Sequence, residues 1–121
     1  MKLGKLEKII DLRSVWEHEA KDFTNWLARE QNLDLLSNEI GVNISLIKTE
    51  AETGDFSVDI LAEEAETGKK IIIENQLERT NHDHLGKIIT YASGYEAETV
   101  IWIVKEFRNE HKSAIDWLNE Q

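Results

Sequence analysis

"IIIENQLERTNHDHLGK", residues 71–87, opens on three isoleucines and closes on a run rich in His, Asp and Lys. The isoleucines are those of a strand buried in a sheet, where β-branched side chains pack well. They lead without a break into Glu74, Asn75 and Gln76. Side chains alternate across a strand, so Glu74 and Gln76 share one face while Ile73 and Asn75 share the other. Asn81 then stands where an N-cap belongs, and "NHDHLGKIITYASG" (81–94) predicts a helix that stops at Gly94.

Upstream, "NISLIKTE" (43–50) and "FSVDILAEE" (56–64) read as two further strands. The string "EAETG" occurs at 50–54 and at 64–68, each time between strand-like runs, and reads as two similar exposed hairpin tips. Together these features predict an antiparallel meander of three strands. Ser14 and Glu17 have capping-box spacing, and Trp16, Ala20, Phe23 and Leu27 recur at helical spacing, which predicts a first helix to about Gln31. "NLDLLSNEIG" (32–41) is a second short helical piece ending at Gly41. Downstream, "TVIWIV" (99–104) is a fully buried strand, and "RNEHKSAIDWLNEQ" (108–121) is a closing amphipathic helix carrying Ala114, Ile115 and Leu118. The order is helix, three strands, helix, strand, helix. A strand returning after a helix implies a crossover, hence an α/β fold with a mixed sheet covered on both faces.

The bulk composition sets limits. A chain of 121 residues, 40% hydrophobic and 31% charged, is expected to form a single domain over 1–121 with one real core. There is no proline and no cysteine, so a disulfide framework, a thiolate nucleophile and a Cys-based zinc site are all excluded. No apolar run approaches the ~18 residues of a membrane span, and the charged N-terminus lacks a signal-peptide core. A cytoplasmic location is the resulting expectation. Fourteen basic residues against 24 acidic ones give a net charge of −10, which counts against a simple DNA-binding module. It counts less against a metal-dependent enzyme, whose carboxylates hold the ion.

The candidate site is acidic. Asp59 lies inside "FSVDIL", one hairpin away from Glu74, so pairing of the two strands brings the carboxyls together. Two carboxylates set in apolar strands are costly to desolvate unless compensated, and a divalent cation would compensate them. Glu19 shares the apolar face of the first helix and is a possible third member. His84, Lys87 and Tyr91 fall on one face of the helix after the strand, a donor-rich surface for phosphate or water. Plainer readings stand beside these: Glu19 at the edge of an apolar face, Asp59 and Glu74 at solvated strand ends or in ion pairs with Lys87 or Arg79. His82 and His84 are two apart, on different sides of a helix, so a His–His metal site is not expected there. His18 and His111 read as surface residues, and Trp16, Trp26, Trp102 and Trp117 as core or interface. No Gly-rich phosphate loop, nucleophile elbow or Ser–His–Asp arrangement is present.

These residues resemble the PD-(D/E)XK nuclease superfamily, the restriction-endonuclease-like fold, whose motif is an Asp on one strand and (D/E)-x-K on the next. More narrowly, "VWEHEAKDFTNWLA" (15–28), "IIIENQLERTNHDHLGKIITYASG" (71–94) and "IDWLNE" (115–120) look like the N-terminal domain of a largely uncharacterised prokaryotic family of that superfamily. The resemblance implies an αβββαβα core, Mg²⁺ or Mn²⁺ held by Asp59, Glu74 and Glu19, and hydrolysis of DNA phosphodiesters in defence or repair. Gln76 takes the place of the motif lysine, with Lys87 as the group that restores its charge; His84, Lys87 and Tyr91 would contact substrate. The resemblance also implies DNA as partner, bound weakly by this domain alone. It further implies a C-terminal domain or partner protein beyond this chain, and dimerisation as a common habit of the superfamily.

Glutamine offers an amide in place of a charged, proton-transferring amine. That departure keeps a second reading in view: a non-catalytic module of the same fold that binds nucleic acid or protein. A third is a small acidic interaction protein that binds a basic partner.

Overall fold

The structure of the protein, a computed structural model, describes residues 20–53 and 56–120. Two helices lead: α1 (Ala20–Leu27) and α2 (Glu30–Ile40). Strands β1 (Ile44–Thr53), β2 (Phe56–Glu64) and β3 (Lys70–Arg79) follow. Helix α3 (His82–Tyr95), strand β4 (Thr99–Glu106) and helix α4 (Asn109–Asn119) complete the chain. The sheet order is β1-β2-β3-β4, with β1/β2 and β2/β3 antiparallel and β3/β4 parallel. A parallel neighbour cannot be reached by a tight turn, and α3 provides the crossover. The fold is α/β with a mixed four-stranded sheet, in the helix and strand order that the resemblance implies.

Alternation along β3 divides the core in two. Ile71 and Ile73 join Leu27, Leu33 and Leu36 of α1 and α2, together with Ile60, Ile101 and Ile103. Ile72 faces the other way, packing with Ile88, Tyr91 and Ala92 of α3 and with Trp102 and Val104 of β4; Leu118 of α4 lies against the same cluster. Helices therefore cover both faces of the sheet. Ile71, Ile72 and Ile73 are each at most 1% exposed, and each burial is worth about 1.5–3 kcal/mol. The isoleucine run is apolar throughout because both of its faces are covered.

Several boundaries differ from the sequence reading. The first helix does not run to Gln31: it breaks after Leu27, and α2 starts at Glu30. Asn32 Nδ2 donates back to the Trp26 carbonyl at 2.6 Å, bracing the bend. Gly41 stops α2 as read, with φ 75° and its N–H donating to the Ser37 carbonyl at 2.8 Å. Gly94 does not stop α3; the helix runs to Tyr95, and Glu96 takes the left-handed turn at φ 52°. The two "EAETG" segments are not equivalent either. Residues 50–53 lie within β1, whereas 65–67 form the turn whose Gly68 has φ 73°. There the Glu64 carboxylate accepts from the N–H groups of Glu66 and Thr67 and from the Thr67 hydroxyl.

His111, expected at the surface, is 1% exposed. Its Nδ1 lies 2.8 Å from Thr80 Oγ1 and its Nε2 2.7 Å from His82 Nδ1. Thr80 Oγ1 also accepts from Arg108 N at 2.8 Å. This group ties the end of β3 and the start of α3 to the start of α4. Trp102 is in the core, Trp26 is half-buried, and Trp117 is 60% exposed. No helix among the described residues is long and apolar enough to cross a membrane.

Candidate metal and active site

The ladder between β2 and β3 runs from Glu63↔Lys70 to Ile60↔Ile73 and stops there. The next residues on the two strands are Asp59 and Glu74, and their side chains take over the hydrogen bonding. Glu74 Oε1 accepts from the Asp59 N–H at 3.0 Å, and Asp59 Oδ2 accepts from the Asn75 N–H at 2.7 Å. The two carboxyl groups also act on each other, the charge of Asp59 raising the proton affinity of Glu74. Two acids thus hold open the gap between neighbouring strands. Alternation also breaks here: Val58 and Ile60, two apart on β2, pack on opposite faces of the sheet.

Neither carboxyl ionises readily. Burial, and then the charge of Asp59, push Glu74 from 4.5 up to about 8. Burial raises Asp59 to about 6, against the pull of its bond from the Asn75 N–H, with Glu50 adding further repulsion. Near neutral pH the pair therefore holds about one proton between two oxygen-rich groups. A cation placed there would replace that proton.

Glu50 was not singled out in the sequence. Its neighbours Thr49 and Ala51 pair with Ile60 and Val58, which sets Glu50 opposite Asp59. It is exposed, with φ 50°, and its charge raises both acids of the pair. Counting the hairpin register outward from its turn would have found it, had that turn been located correctly.

The other sequence candidates are placed as follows. Glu74 and Gln76 lie on the α3 side of the sheet. Gln76 is 2% exposed, and its Oε1 accepts from Trp102 Nε1 at 2.9 Å. Asn75 faces α1, where its Nδ2 donates to Thr24 Oγ1 at 2.8 Å. Lys87 and Tyr91 line an open cleft of about 390 Å³ along α3, together with His82, Asp83, Gly86 and Thr90. Both sense Glu74. An ion pair with Asp83 at 3.1 Å raises Lys87 first, with Glu74 adding to it; burial raises Tyr91 first, with Glu74 next. His84 is not among the lining residues of that cleft: its Nδ1 lies 3.0 Å from Asn81 Oδ1, against the helix cap. Its neighbour His82 takes the cleft position. Glu19 lies outside the described residues.

His111 and Trp102 escaped the sequence reading as parts of this neighbourhood. His111 is four residues before Ile115, hence on the same buried face of α4, a spacing that could have flagged it. Nothing local marks Trp102 as the partner of Gln76; only the parallel register brings β4 beside β3.

No family model and no curated protein matches the sequence. Among solved structures, a chain in a structure of an EndoMS–dsDNA complex is similar over 74% of this chain, at 13% identity and a TM-score of 0.45. This chain spans 41% of the length of that one.

Proposed function

We propose that the chain is a divalent-metal-dependent phosphodiesterase domain acting on DNA. The observation that carries this reading is the Asp59–Glu74 pair, a half-buried and a buried carboxyl whose hydrogen-bond partners among the described residues include no cationic side chain. Such a pair does not favour stability, since each acid resists the charge it would carry at neutral pH. The donor set fits Mg²⁺ or Mn²⁺, which take hard oxygen ligands and are commonly held by one or two carboxylates. Among the described residues no cluster of three ligating side chains occurs. Glu19 is the residue that the resemblance offers as a third ligand. A bound ion would supply neutralising charge and an activated water at neutral pH.

The chain's own residues divide the remaining work. Asp59 and Glu74 would hold the ion. Gln76, on the same face as Glu74, orients water or a phosphate oxygen through its amide. Lys87 and Tyr91 present an ammonium and a phenol along the cleft for the substrate backbone, while Asp83 holds Lys87 in place.

Titration calorimetry with Mn²⁺ and Mg²⁺, run on wild type and on Glu74→Ala, tests the reading. Binding by wild type that disappears in the variant, joined by metal-dependent cleavage of DNA, is the expected result. Equal binding by both proteins would remove its basis. Two observations favour a non-catalytic module of the same fold: the net charge of −10 and the engagement of Lys87 with Asp83. That module would bind nucleic acid or protein with no cleavage under any metal, and with no loss of binding in Glu74→Ala.

A further inference from the structure

The parallel register sets Glu74 beside Trp102 and Gln76 beside Val104. Gln76 and Trp102 are both buried, and the indole Nε1–H donates to Gln76 Oε1 at 2.9 Å. An indole nitrogen donates and cannot accept. The contact therefore fixes the carboxamide, with its oxygen on Trp102 and its NH₂ end turned away. Gln76 takes part in a further interaction besides this one. The indole is also in ring contact with His111, at 6.2 Å between centroids.

We propose that Trp102 is a positioning residue for the site, and that Gln76 and Trp102 form one unit presenting an uncharged donor where the resembling enzymes carry lysine. This rests on the phosphodiesterase reading and deepens it. The reason is donor and acceptor chemistry. An ammonium has three donors and no acceptor, so Gln76→Lys sets a buried cation against the indole N–H and leaves that N–H without a partner. The residue at 76 is thus tied to the residue at 102, and the lysine cannot be restored alone. Phenylalanine at 102 keeps an aromatic ring and removes the conflicting N–H.

Four proteins test this: wild type, Gln76→Lys, Trp102→Phe and the double variant. Three quantities are read: the melting temperature, the ¹⁵N-indole NMR signal that Trp102→Phe removes, and Mn²⁺-dependent hydrolysis of bis(p-nitrophenyl) phosphate. Gln76→Lys is expected to lower the melting temperature by roughly 5 °C or more and to displace the Trp102 indole signal. In the Trp102→Phe background the same change costs less than half as much. Trp102→Phe alone lowers kcat by ~10-fold through loss of orientation, with KM and Mn²⁺ affinity unchanged, and the double variant regains rate. An equal loss of melting temperature in both backgrounds overturns the proposal, as does an unchanged kcat in Trp102→Phe. Absence of hydrolysis by wild type overturns the phosphodiesterase reading instead; the melting temperatures and the indole signal then still decide whether the two residues are coupled.

Discussion

Replacing Glu74 with glutamine should make this protein more stable, by an amount that depends on pH. Glutamine keeps the oxygen that accepts from the Asp59 N–H and exchanges the other oxygen for a donor toward the Asp59 carboxylate. In wild type the carboxyl holds its proton up to about 8, against 4.5 when exposed. The folded state therefore binds more protons than the unfolded state between those values, and its stability falls as pH rises. The stabilising contribution of the protonated carboxyl is fully present below about 4.5 and is lost as pH rises through about 8. Each tenfold change in proton affinity is about 1.4 kcal/mol, so the full loss approaches about 5 kcal/mol, of which about 3 kcal/mol has accrued by pH 7. At about pH 5 it is under about 1 kcal/mol. Glutamine removes this loss. With a urea slope of about 1–3 kcal/mol per molar, the variant's unfolding midpoint should exceed that of wild type by roughly 1–3 M at pH 7 and by little at pH 5. An unchanged midpoint at pH 7, or an equal gain at both pH values, would refute the argument that the site stores unfavourable charge. Saturating Mn²⁺ should raise the wild-type midpoint and leave the variant where it is.

Other consequences are open to measurement. Metal affinity of wild type should strengthen between about pH 6 and pH 8, where Asp59 and Glu74 lose their protons. Calorimetry in two buffers of different ionisation heat should then show about one proton released per ion, and zero release would contradict the shared-proton picture. Lys87→Ala should leave the melting temperature unchanged, because its ion pair is exposed, while slowing metal-dependent cleavage. Unchanged cleavage in Lys87→Ala, with loss in Gln76→Ala, would remove Lys87 from the site. His111→Ala should cost about 3 kcal/mol in chemical denaturation, through a cavity and the severed ties to Thr80 and His82; a loss below about 1 kcal/mol would show that the clamp carries little. Thr24→Val should cost about 1–3 kcal/mol by leaving the buried Asn75 amide without its partner, and a neutral result would mean that the amide re-pairs.

Much of this molecule was written in local pattern. The isoleucine run, the alternation that puts Glu74 and Gln76 on one face, Asn81 at the head of α3, Gly41 at the end of α2 and the buried run 99–104 are consequences of neighbouring residues alone. Hydrophobic period and capping chemistry operate over a few residues, so one sequence suffices to read them. The same locality made Gly94 misleading, since the cost of a glycine within a helix is about 1 kcal/mol and packing of Tyr91, Ala92 and Tyr95 against the sheet outweighs it.

Tertiary structure decided the rest. The strand ladder ends at Ile60↔Ile73, and this alone turns Asp59 and Glu74 from two acids on neighbouring strands into a pair in which each carboxyl accepts a backbone N–H from the opposite strand. Their raised proton affinities come from burial and mutual repulsion, which depend on distance and solvent access and not on residue type. Glu50 enters through the β1 register, Trp102 through the parallel pairing of β4, and His111 through the docking of α4 on Thr80 and His82. Each of these contacts joins residues at least 9 positions apart. Periodicity says which face a side chain takes; only the packed fold says what stands opposite it.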